Sequence, residues 1–311
     1  MLTVLQTALE VGLIYGLVAL ALFISFSILN IADLSTDGCF TLGCAVGAML
    51  TIAGHPILAL FAAMAAGMLS GYVTAFLQTR LGVESILAGI ISNTGLYTIN
   101  LAVMGFSSNV SITGRATVFS LFKALTGGSQ WSTLVLLALL LGVIAVVLIR
   151  FFGTSLGLSI RATGDSLDMV SASSINPKAT ITIGLCLANA LTALSGCLIG
   201  EYNKFCDINL GTGMVTIALA SLIIGEVFAG RRGGVGKRVV CVVLGSIVYR
   251  LIIALALRLN ISAEYFKLVS AVIVAVAIAA PNMKDYVHLA KIRSNARKLR
   301  ALSGKGDETD A

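Results

Sequence analysis

The chain has 311 residues, of which 58% are hydrophobic and only 11% are charged, and its mean hydropathy is +0.99. A soluble domain carries roughly 25% charged residues, so this composition excludes a soluble globular protein. The apolar runs are long and continuous, which indicates membrane helices rather than short alternating strands. The sequence therefore predicts an all-α polytopic membrane protein. The net charge of +7 comes from basic residues between and after the apolar runs, so it does not indicate a nucleic-acid partner.

Nine apolar runs approach the roughly 20 residues that a membrane-spanning helix needs. The second, fourth and seventh carry enough polar or glycine residues to be broken or re-entrant helices. The nine predicted spans are Thr3–Ile28, Leu34–Ala53, Pro56–Gln78, Ser85–Met104, Trp131–Ile149, Ala179–Gly200, Thr212–Ala229, Val239–Leu257 and Phe266–Ala280.

Two carboxylates, Asp33 and Asp37, stand between the apolar stretches Val11–Ile28 and Leu42–Ala53. Carboxylates so close to lipid are unfavourable unless they face water, a cavity or other polar groups. Gly38 and Gly43 are expected to loosen the helix at this point. We therefore predict that the second helix begins inside the membrane and lines a solute path, which is tolerated where protein or water surrounds it. The alternative is a short connecting loop at the membrane surface.

Lys and Arg residues predict the orientation of the chain, because they concentrate in cytoplasmic segments. Seven of them follow Pro281, so the basic tail, residues 285–311, is predicted to be cytoplasmic. Counting back through the spans puts loop 150–178 on the same side and the N-terminus outside, with residues 1–284 as the transmembrane domain. The tail is predicted to form an interfacial helix, with a disordered tail as the alternative.

The two halves of the chain share a weak internal sequence similarity. Asp33-Leu-Ser-Thr36 is followed by Gly38, and Asn209-Leu-Gly-Thr212 is followed by Gly213. Each segment precedes an apolar run that contains glycine, and the two lie at opposite ends of their helix pairs. This placement predicts an inverted repeat with a path between the halves, and chance similarity is the alternative.

The predicted cytoplasmic loop between the fifth and sixth spans contains a capped segment. Asp165 or Ser166 can cap a short helix over Leu167–Ser174, with Asp168 in its first turn. Such a helix on the cytoplasmic face of a transporter suits docking of a partner protein. The alternative is an interfacial helix on lipid, although its face is poor in the Lys and Arg typical of that class.

No catalytic or nucleotide-binding motif is evident. The nearest approach to a phosphate-binding loop is Gly230–Arg238, whose spacing is one residue too long and which has Arg instead of Ser or Thr after the Lys. His55 and His288 stand alone, and none of the six cysteines forms a C-x-x-C pair, so no metal or redox site is expected. We predict that the chain is not an enzyme, binds no cofactor itself, and takes energy from a partner subunit or an ion gradient.

Three blocks of the sequence carry a family resemblance. Gly12–Ala48, Gly157–Asn176 and the glycine-rich Leu219–Gly245 resemble, in the expected order, blocks of the permease subunits of ABC importers in the branched-chain amino acid and ribose class. Within that class, the run Ala-Asp-Leu-Ser-Thr-Asp-Gly-Cys-Phe-Thr that starts at Ala32 looks most like the tryptophan/tyrosine-type permeases.

The resemblance implies a permease of a bacterial inner membrane that accepts a small solute, expected to be an amino acid, from an external binding protein. Two copies, expected to be identical, would form the path within membrane lipid, and separate ATPase subunits would carry ATP and dock on the cytoplasmic loop. For docking we expect Gly157, Arg161, Gly164, Asp165 and Asp168.

Polar residues at the broken helices are the candidates for lining the solute path. They are Asn30, Asp33, Thr36, Asp37, Asn93, Asn189 and Thr212. A polar residue in a membrane helix often only bonds a neighbouring helix, and this reading stays open for each of them. The alternative function is an ion-coupled secondary transporter in which Asp33 or Asp37 carries the coupled ion.

Overall fold

The computed structural model describes residues 2–127, 131–230 and 233–258, together with Val272 and Ala275. The ninth predicted span, apart from those two residues, and the C-terminal tail lie outside the described residues. Within them the chain forms eleven α-helices and one pair of short strands. The elements are α1 (Leu2–Leu22), continued by a π-helical turn (Phe23–Ile28), α2 (Thr36–Ile52), α3 (Pro56–Thr79), α4 (Ser85–Val103), β1 (Asn109–Ser111), α5 (Val118–Leu125), α6 (Ser132–Phe151), α7 (Ser155–Asp165), α8 (Leu167–Ala172), α9 (Pro177–Asn203), β2 (Phe205–Asp207), α10 (Met214–Ala229) and α11 (Val235–Arg258).

Six of the described helices are long and apolar enough to cross a membrane: α1 with its π-helical turn, α3, α4, α6, α9 and α11. Two further apolar helices, α2 and α10, are shorter, with 17 and 16 residues. At a rise of 1.5 Å per residue each covers only about 25 Å, less than the roughly 30 Å of a hydrocarbon core. The eight predicted spans in the described part of the chain thus coincide with helices, and the second and seventh are the short ones.

Helices α1 and α9 form the centre of the molecule, and most of their residues are buried. Helix α3 packs against α9, α6 packs against α1, and α4 packs against α2 and α3. All three expose rows of large apolar side chains, such as Leu69, Ile91 and Val147. Apolar side chains pointing outward are unfavourable in water but not in lipid. Large apolar side chains thus lie both in the core and on the outer surface, which is unusual for a soluble protein and fits a helical bundle surrounded by a bilayer.

Glycines bring α2 and α9 into backbone contact. A Cβ atom added at Gly43 would overlap the carbonyl oxygen of Ala193, and one added at Gly196 would overlap that of Phe40. Small residues permit such close approach between membrane helices. The prediction that Gly38 and Gly43 loosen the second helix is wrong, because α2 is continuous through both.

Outside the membrane helices, β1 and β2 pair antiparallel, with Val110 opposite Cys206. The short helix α5 was not predicted from the sequence. Its first turn is closed by a reciprocal pair of contacts, in which the Ser120 amide donates to the Thr117 hydroxyl and the Thr117 amide donates to that of Ser120. Such a capping box stabilises even a helix of eight residues.

The packing predicts opposite effects for the same substitution at two helical glycines. Gly43→Ala should lower the free energy of unfolding by about 1–3 kcal/mol, the usual range for overpacking. Gly142→Ala in α6 should be neutral or stabilising by up to about 1 kcal/mol, because a Cβ there meets no atom within 4 Å and alanine favours helix. Thermal unfolding in detergent compares the two. Equal midpoints would contradict the close α2–α9 packing.

Candidate functional site

The chain between α1 and α2 is unwound. The π-helical turn Phe23–Ile28 ends α1, and the amide of Ile31 reaches back to the carbonyl of Ser25 at 2.8 Å. Asn30 has a φ of 56°, in the left-handed region that non-glycine residues seldom occupy. Regular structure resumes only at Thr36. The predicted break is therefore present, and it lies before α2 rather than within it.

Asp33 is buried in this break and fully hydrogen-bonded. Its Oδ1 atom accepts from the Ser35 amide at 2.9 Å and from the Ser35 hydroxyl at 2.6 Å, and its Oδ2 atom accepts from Asn189 Nδ2 at 2.8 Å. Asp33 and Asn189 are 3% and 1% exposed. A buried carboxylate is tolerated when donors surround it in this way, so the Asp33–Asn189 contact fixes the start of α2 against α9.

The position of Asn189 shows how deep this contact lies. Asn189 is twelve residues from the start of α9 at Pro177 and fourteen from its end at Asn203. At 1.5 Å per residue these separations are roughly 18 and 21 Å. The beginning of α2 therefore lies beside the middle of a helix long enough to cross the membrane, as expected for a helix that starts inside it.

A second carboxylate joins α2 to α10. Asp37 Oδ2 accepts from the Gly213 amide and Oδ1 accepts from the Val215 amide, each at 2.9 Å. Thr41 Oγ1 accepts from the Gly211 amide at 3.1 Å. The two short helices thus meet at their N-termini, where unpaired N–H groups and the helix dipole favour a negative charge. The two similar segments of the sequence are thus in contact, and the inverted repeat itself stays a prediction.

Helix α4 contributes two amides to the same region. A Cβ added at Gly38 would come within 2.6 Å of Asn93 Oδ1. Asn100 Nδ2 donates to the Gly38 carbonyl at 3.0 Å, while Asn100 Oδ1 is buried without a hydrogen-bond partner. Sequence reasoning missed Asn100. Its spacing of seven residues from Asn93, which puts both on one helix face, was the available signal.

The predicted path residues fall into two groups. Asp33, Asp37, Asn93 and Asn189 gather around the start of α2, where the Thr36 hydroxyl also donates to the Asp33 carbonyl at 3.1 Å. Asn30 is exposed beside a cavity on the predicted cytoplasmic side, and Thr212 is exposed next to the start of α10. Asp33, Thr36 and Asn189 are buried in this conformation, whereas Asp37 and Asn93 are partly buried. Their role in lining a path stays a prediction.

The loop predicted to dock a partner contains two helices. Helix α8 ends at Ala172, two residues earlier than predicted, and its N-cap is Ser166, which accepts from the Met169 amide. The longer α7 was not predicted. Thr154 caps it by accepting from the Gly157 amide at 3.3 Å. The exposed side chains of the two helices form a mixed surface of Leu156, Leu158, Arg161, Asp165, Leu167, Asp168 and Met169.

Helix α7 rests directly on the break that follows α1. A Cβ added at Gly164 would overlap the carbonyl oxygen of Ile28, and one at Gly157 would overlap that of Phe151. The hydroxyls of Thr163 and Thr180 are hydrogen-bonded at 2.8 Å, which ties α7 to α9. Because no side chain separates Gly164 from Ile28, α7 cannot shift towards the membrane helices without displacing the break.

A further polar cluster holds the other end of α10. Arg238 Nη2 lies 2.7 Å from Glu226 Oε1, and the Arg238 guanidinium lies 5.0 Å from the centre of the Phe23 ring. Ser27 in the π-helical turn donates to the same Glu226 oxygen. This cluster was not predicted, because its members are separated by up to 211 residues. Helix α10 is thus held at its start by Asp37 and near its end by Glu226.

The described residues contain no group of three His, Cys, Asp or Glu side chains placed to hold one metal ion. The chemistry that this part of the chain offers is hydrogen bonding and charge complementarity to a solute or a partner.

The contact between Asp37 and α10 predicts a local effect of Asp37→Asn. An asparagine keeps only one acceptor oxygen, so one of the amides of Gly213 and Val215 would lose its partner, at about 1–3 kcal/mol. Hydrogen exchange over residues 211–217 should accelerate. Asp207→Asn is the matched control, because its oxygen accepts a single amide, that of Asn209, which asparagine can still bind. Unchanged exchange in Asp37→Asn would contradict the capping role.

Comparison with known proteins confirms the resemblance drawn from the sequence. A family model described as "Branched-chain amino acid transport system / permease component" matches residues 4–278. The tyrosine transport system permease protein of Clostridioides difficile (strain R20291) is 30% identical over 94% of this chain and 95% of its own length. The uncharacterized protein RP368 of Rickettsia prowazekii (strain Madrid E) is 30% identical over 91% and 99%. No solved structure matches the chain significantly. The chain therefore belongs to the family of permease components of branched-chain amino acid transport systems, and it is a multi-pass membrane transport subunit.

Proposed function

We propose that this protein is the permease subunit of an ABC importer in a bacterial inner membrane and that it moves an amino acid inward. The observation that carries the proposal is the direct seating of α7 on the break between α1 and α2. A force applied to α7 from the cytoplasm would reach Asp33 and Asp37 through a few residues of backbone. The arrangement suits a subunit that is driven by another protein.

An amino acid is the solute that the relatives favour. The family description names branched-chain amino acids, and one relative of similar length carries a name that specifies tyrosine. The polar groups where α2 and α10 begin lie at mid-depth, and the ends of discontinuous membrane helices are where transporters commonly bind the charged groups of a solute. We assign the path to the region where α2 and α10 begin, with an external binding protein as the donor of the solute.

The energy would come from two separate ATPase subunits. The chain carries no phosphate-binding loop of its own. The exposed surface of α7 and α8 combines Leu156, Leu158, Leu167 and Met169 with the charged Arg161, Asp165 and Asp168. Apolar side chains surrounded by charge are typical of protein interfaces. A second permease copy, which we expect to be identical, would complete the path, and lipid would cover the outer faces of α3, α4 and α6.

The alternative, an ion-coupled transporter that uses Asp33 or Asp37, gains no support from these contacts. Both oxygens of each carboxylate accept hydrogen bonds from protein donors. A carboxylate held in this way is suited to joining helices rather than to releasing and rebinding an ion.

Docking on α7 can be tested by reversing an exposed charge. Arg161→Glu should reduce co-purification with the ATPase roughly tenfold, the effect of about 1.4 kcal/mol, because like charges across an interface repel. Arg80→Glu is the matched control, since Arg80 is also exposed on the predicted cytoplasmic side but outside α7 and α8. If both variants retain the ATPase equally well, α7 is not part of the docking surface.

The energy source can be tested in proteoliposomes that contain the permease, the ATPase and the binding protein. Uptake should require internal ATP and should persist when an uncoupler collapses the ion gradients. Uptake would not depend on the ion gradients, because ATP binding and hydrolysis would supply the driving force. Uptake that stops with the uncoupler while ATP stays constant would overturn the importer assignment in favour of the ion-coupled alternative.

A further inference from the structure

Four polar side chains on the surface of the helical bundle make no hydrogen bond to any residue in the described part of the chain. They are Asn93 and Tyr97 on α4, Thr212 just before α10, and Thr216 in its first turn. Tyr97 and the two threonines are exposed, and Asn93 is partly buried. An exposed hydroxyl in a membrane helix can be satisfied internally, as that of Thr94 is by donating to a carbonyl of its own helix at 2.9 Å. Exposure alone therefore does not explain the four unpaired side chains.

All four side chains lie at the depth at which α2 begins. Asn93 Oδ1 lies 2.6 Å from the position that a Cβ at Gly38 would take. The Gly213 amide, next to the two threonines, donates to Asp37. Tyr97 follows Asn93 by four residues, which is about 6 Å along the helix. Because the start of α2 lies beside the middle of α9, these groups are near the centre of the bilayer, where lipid offers no hydrogen bond.

The four side chains lie on either side of Asp37, which is itself only half-buried. Asp37 contacts α10, and its neighbour Gly38 contacts α4, so the start of α2 lies between those two helices. On α4, Asn93 and Tyr97 share one edge because they are four residues apart. Ser92, on the other edge, accepts a hydrogen bond from α3. The edge of α4 with Asn93 and Tyr97 therefore points away from α3. We call the following set the polar strip: Asp37, Asn93, Tyr97, Thr212 and Thr216.

The environment of the polar strip follows from its chemistry. Lipid would leave all four side chains unpaired and would lie against a half-buried carboxylate, which is unfavourable. Water satisfies every one of these groups, and polar residues at the ends of broken helices commonly line a water-filled path. The described part of this chain borders the strip on one side only. A second copy on the other side would complete the enclosure of such a path.

We propose that the polar strip is this chain's half of the solute path, that the same strip of a second copy faces it, and that Tyr97 contacts the side chain of an aromatic amino acid. The proposal rests on the proposed function for the class of solute. Tyr97 carries the only ring in the strip, and aromatic rings attract one another beyond the area that they bury. The Asn93 amide and the two threonine hydroxyls offer hydrogen bonds to the polar groups of the solute.

The position of the strip is tested with single cysteines in proteoliposomes that contain the permease, the ATPase and the binding protein. A charged methanethiosulfonate reagent reacts with a thiol in water but not with one in lipid. Tyr97→Cys and Thr216→Cys should react, and Ile99→Cys, the matched control, should not. Ile99 is 51% exposed and Tyr97 is 53% exposed, and a separation of two residues puts them on opposite sides of α4. The six native cysteines, five of them buried, give the background in the unmodified protein.

The reaction is measured with and without ATP, because a path that opens to one side at a time can exclude the reagent in one state. If Tyr97→Cys or Thr216→Cys stays unreactive in both states, the polar strip does not line a path. If Ile99→Cys reacts as fast as Tyr97→Cys, water surrounds α4 on both sides and the strip is not a distinct surface. Either result would overturn the proposal.

The contact with the solute is tested by uptake of L-tyrosine in the same proteoliposomes. Tyr97→Leu should lower the rate by about two- to tenfold, the range expected for one aromatic pair. Tyr97→Phe, which keeps the ring, should be affected less, and Ile99→Leu should match the unmodified protein. Equal rates for Tyr97→Leu and the unmodified protein, or no uptake of L-tyrosine by the unmodified protein, would overturn the aromatic contact.

The labelling result is independent of the energy source. Reaction of Tyr97→Cys and Thr216→Cys but not of Ile99→Cys, together with uptake that stops with an uncoupler at constant ATP, would overturn the importer function and leave the polar strip as the path. ATP-driven uptake with no reaction at the strip would leave the importer function standing and place the path elsewhere.

Discussion

The carboxylate of Asp37 joins the beginnings of two membrane helices, and the inner architecture depends on it. A helix N-terminus presents amides without intrahelical partners and a partial positive charge. The interior of a bilayer has no water to satisfy them. Helix α10 can begin at this depth because Asp37 accepts from Gly213 and Val215. Asp33 anchors the segment before α2 in a different way, by accepting from the Ser35 amide and from the Asn189 side chain on the central helix.

The close packing of the helices follows from the shortness of these side chains. Asp33 reaches Asn189 only if α2 lies against α9, and the backbones of the two helices touch at Gly43 and Gly196. A larger residue at either glycine would move α2 away and leave a buried carboxylate without its donor. Packing and hydrogen bonding therefore support the same geometry, and neither is retained without the other.

Much of the fold could be predicted from the sequence, because span length and hydropathy are local properties. The break before α2 was also predictable, since Asp33 and Asp37 have no place on a lipid-facing helix. The contacts between helices could not be predicted in this way. Asp33 and Asn189, for example, are 156 residues apart, and periodicity carries no information on contacts between residues so far apart in the sequence. Helix α7 was missed because its exposed side mixes Leu156 and Leu158 with charged residues and its packed side contains Gly157 and Gly164, so no regular apolar period marks it as a helix.

The contacts of Gly164 explain why a mostly exposed loop is tied to the membrane core. A glycine at this position lets α7 touch the Ile28 carbonyl, and Ile28 ends the π-helical turn that also carries Ser27. Ser27 binds Glu226 of α10, whose other end is held by Asp37. A displacement of α7 would therefore be transmitted to one end of α10 through Ser27. It would be transmitted to the other end of α10 through the break, Asp33 and α2. Since close-packed elements shift between discrete arrangements rather than deform continuously, movement of α7, the break and α10 is expected to be concerted.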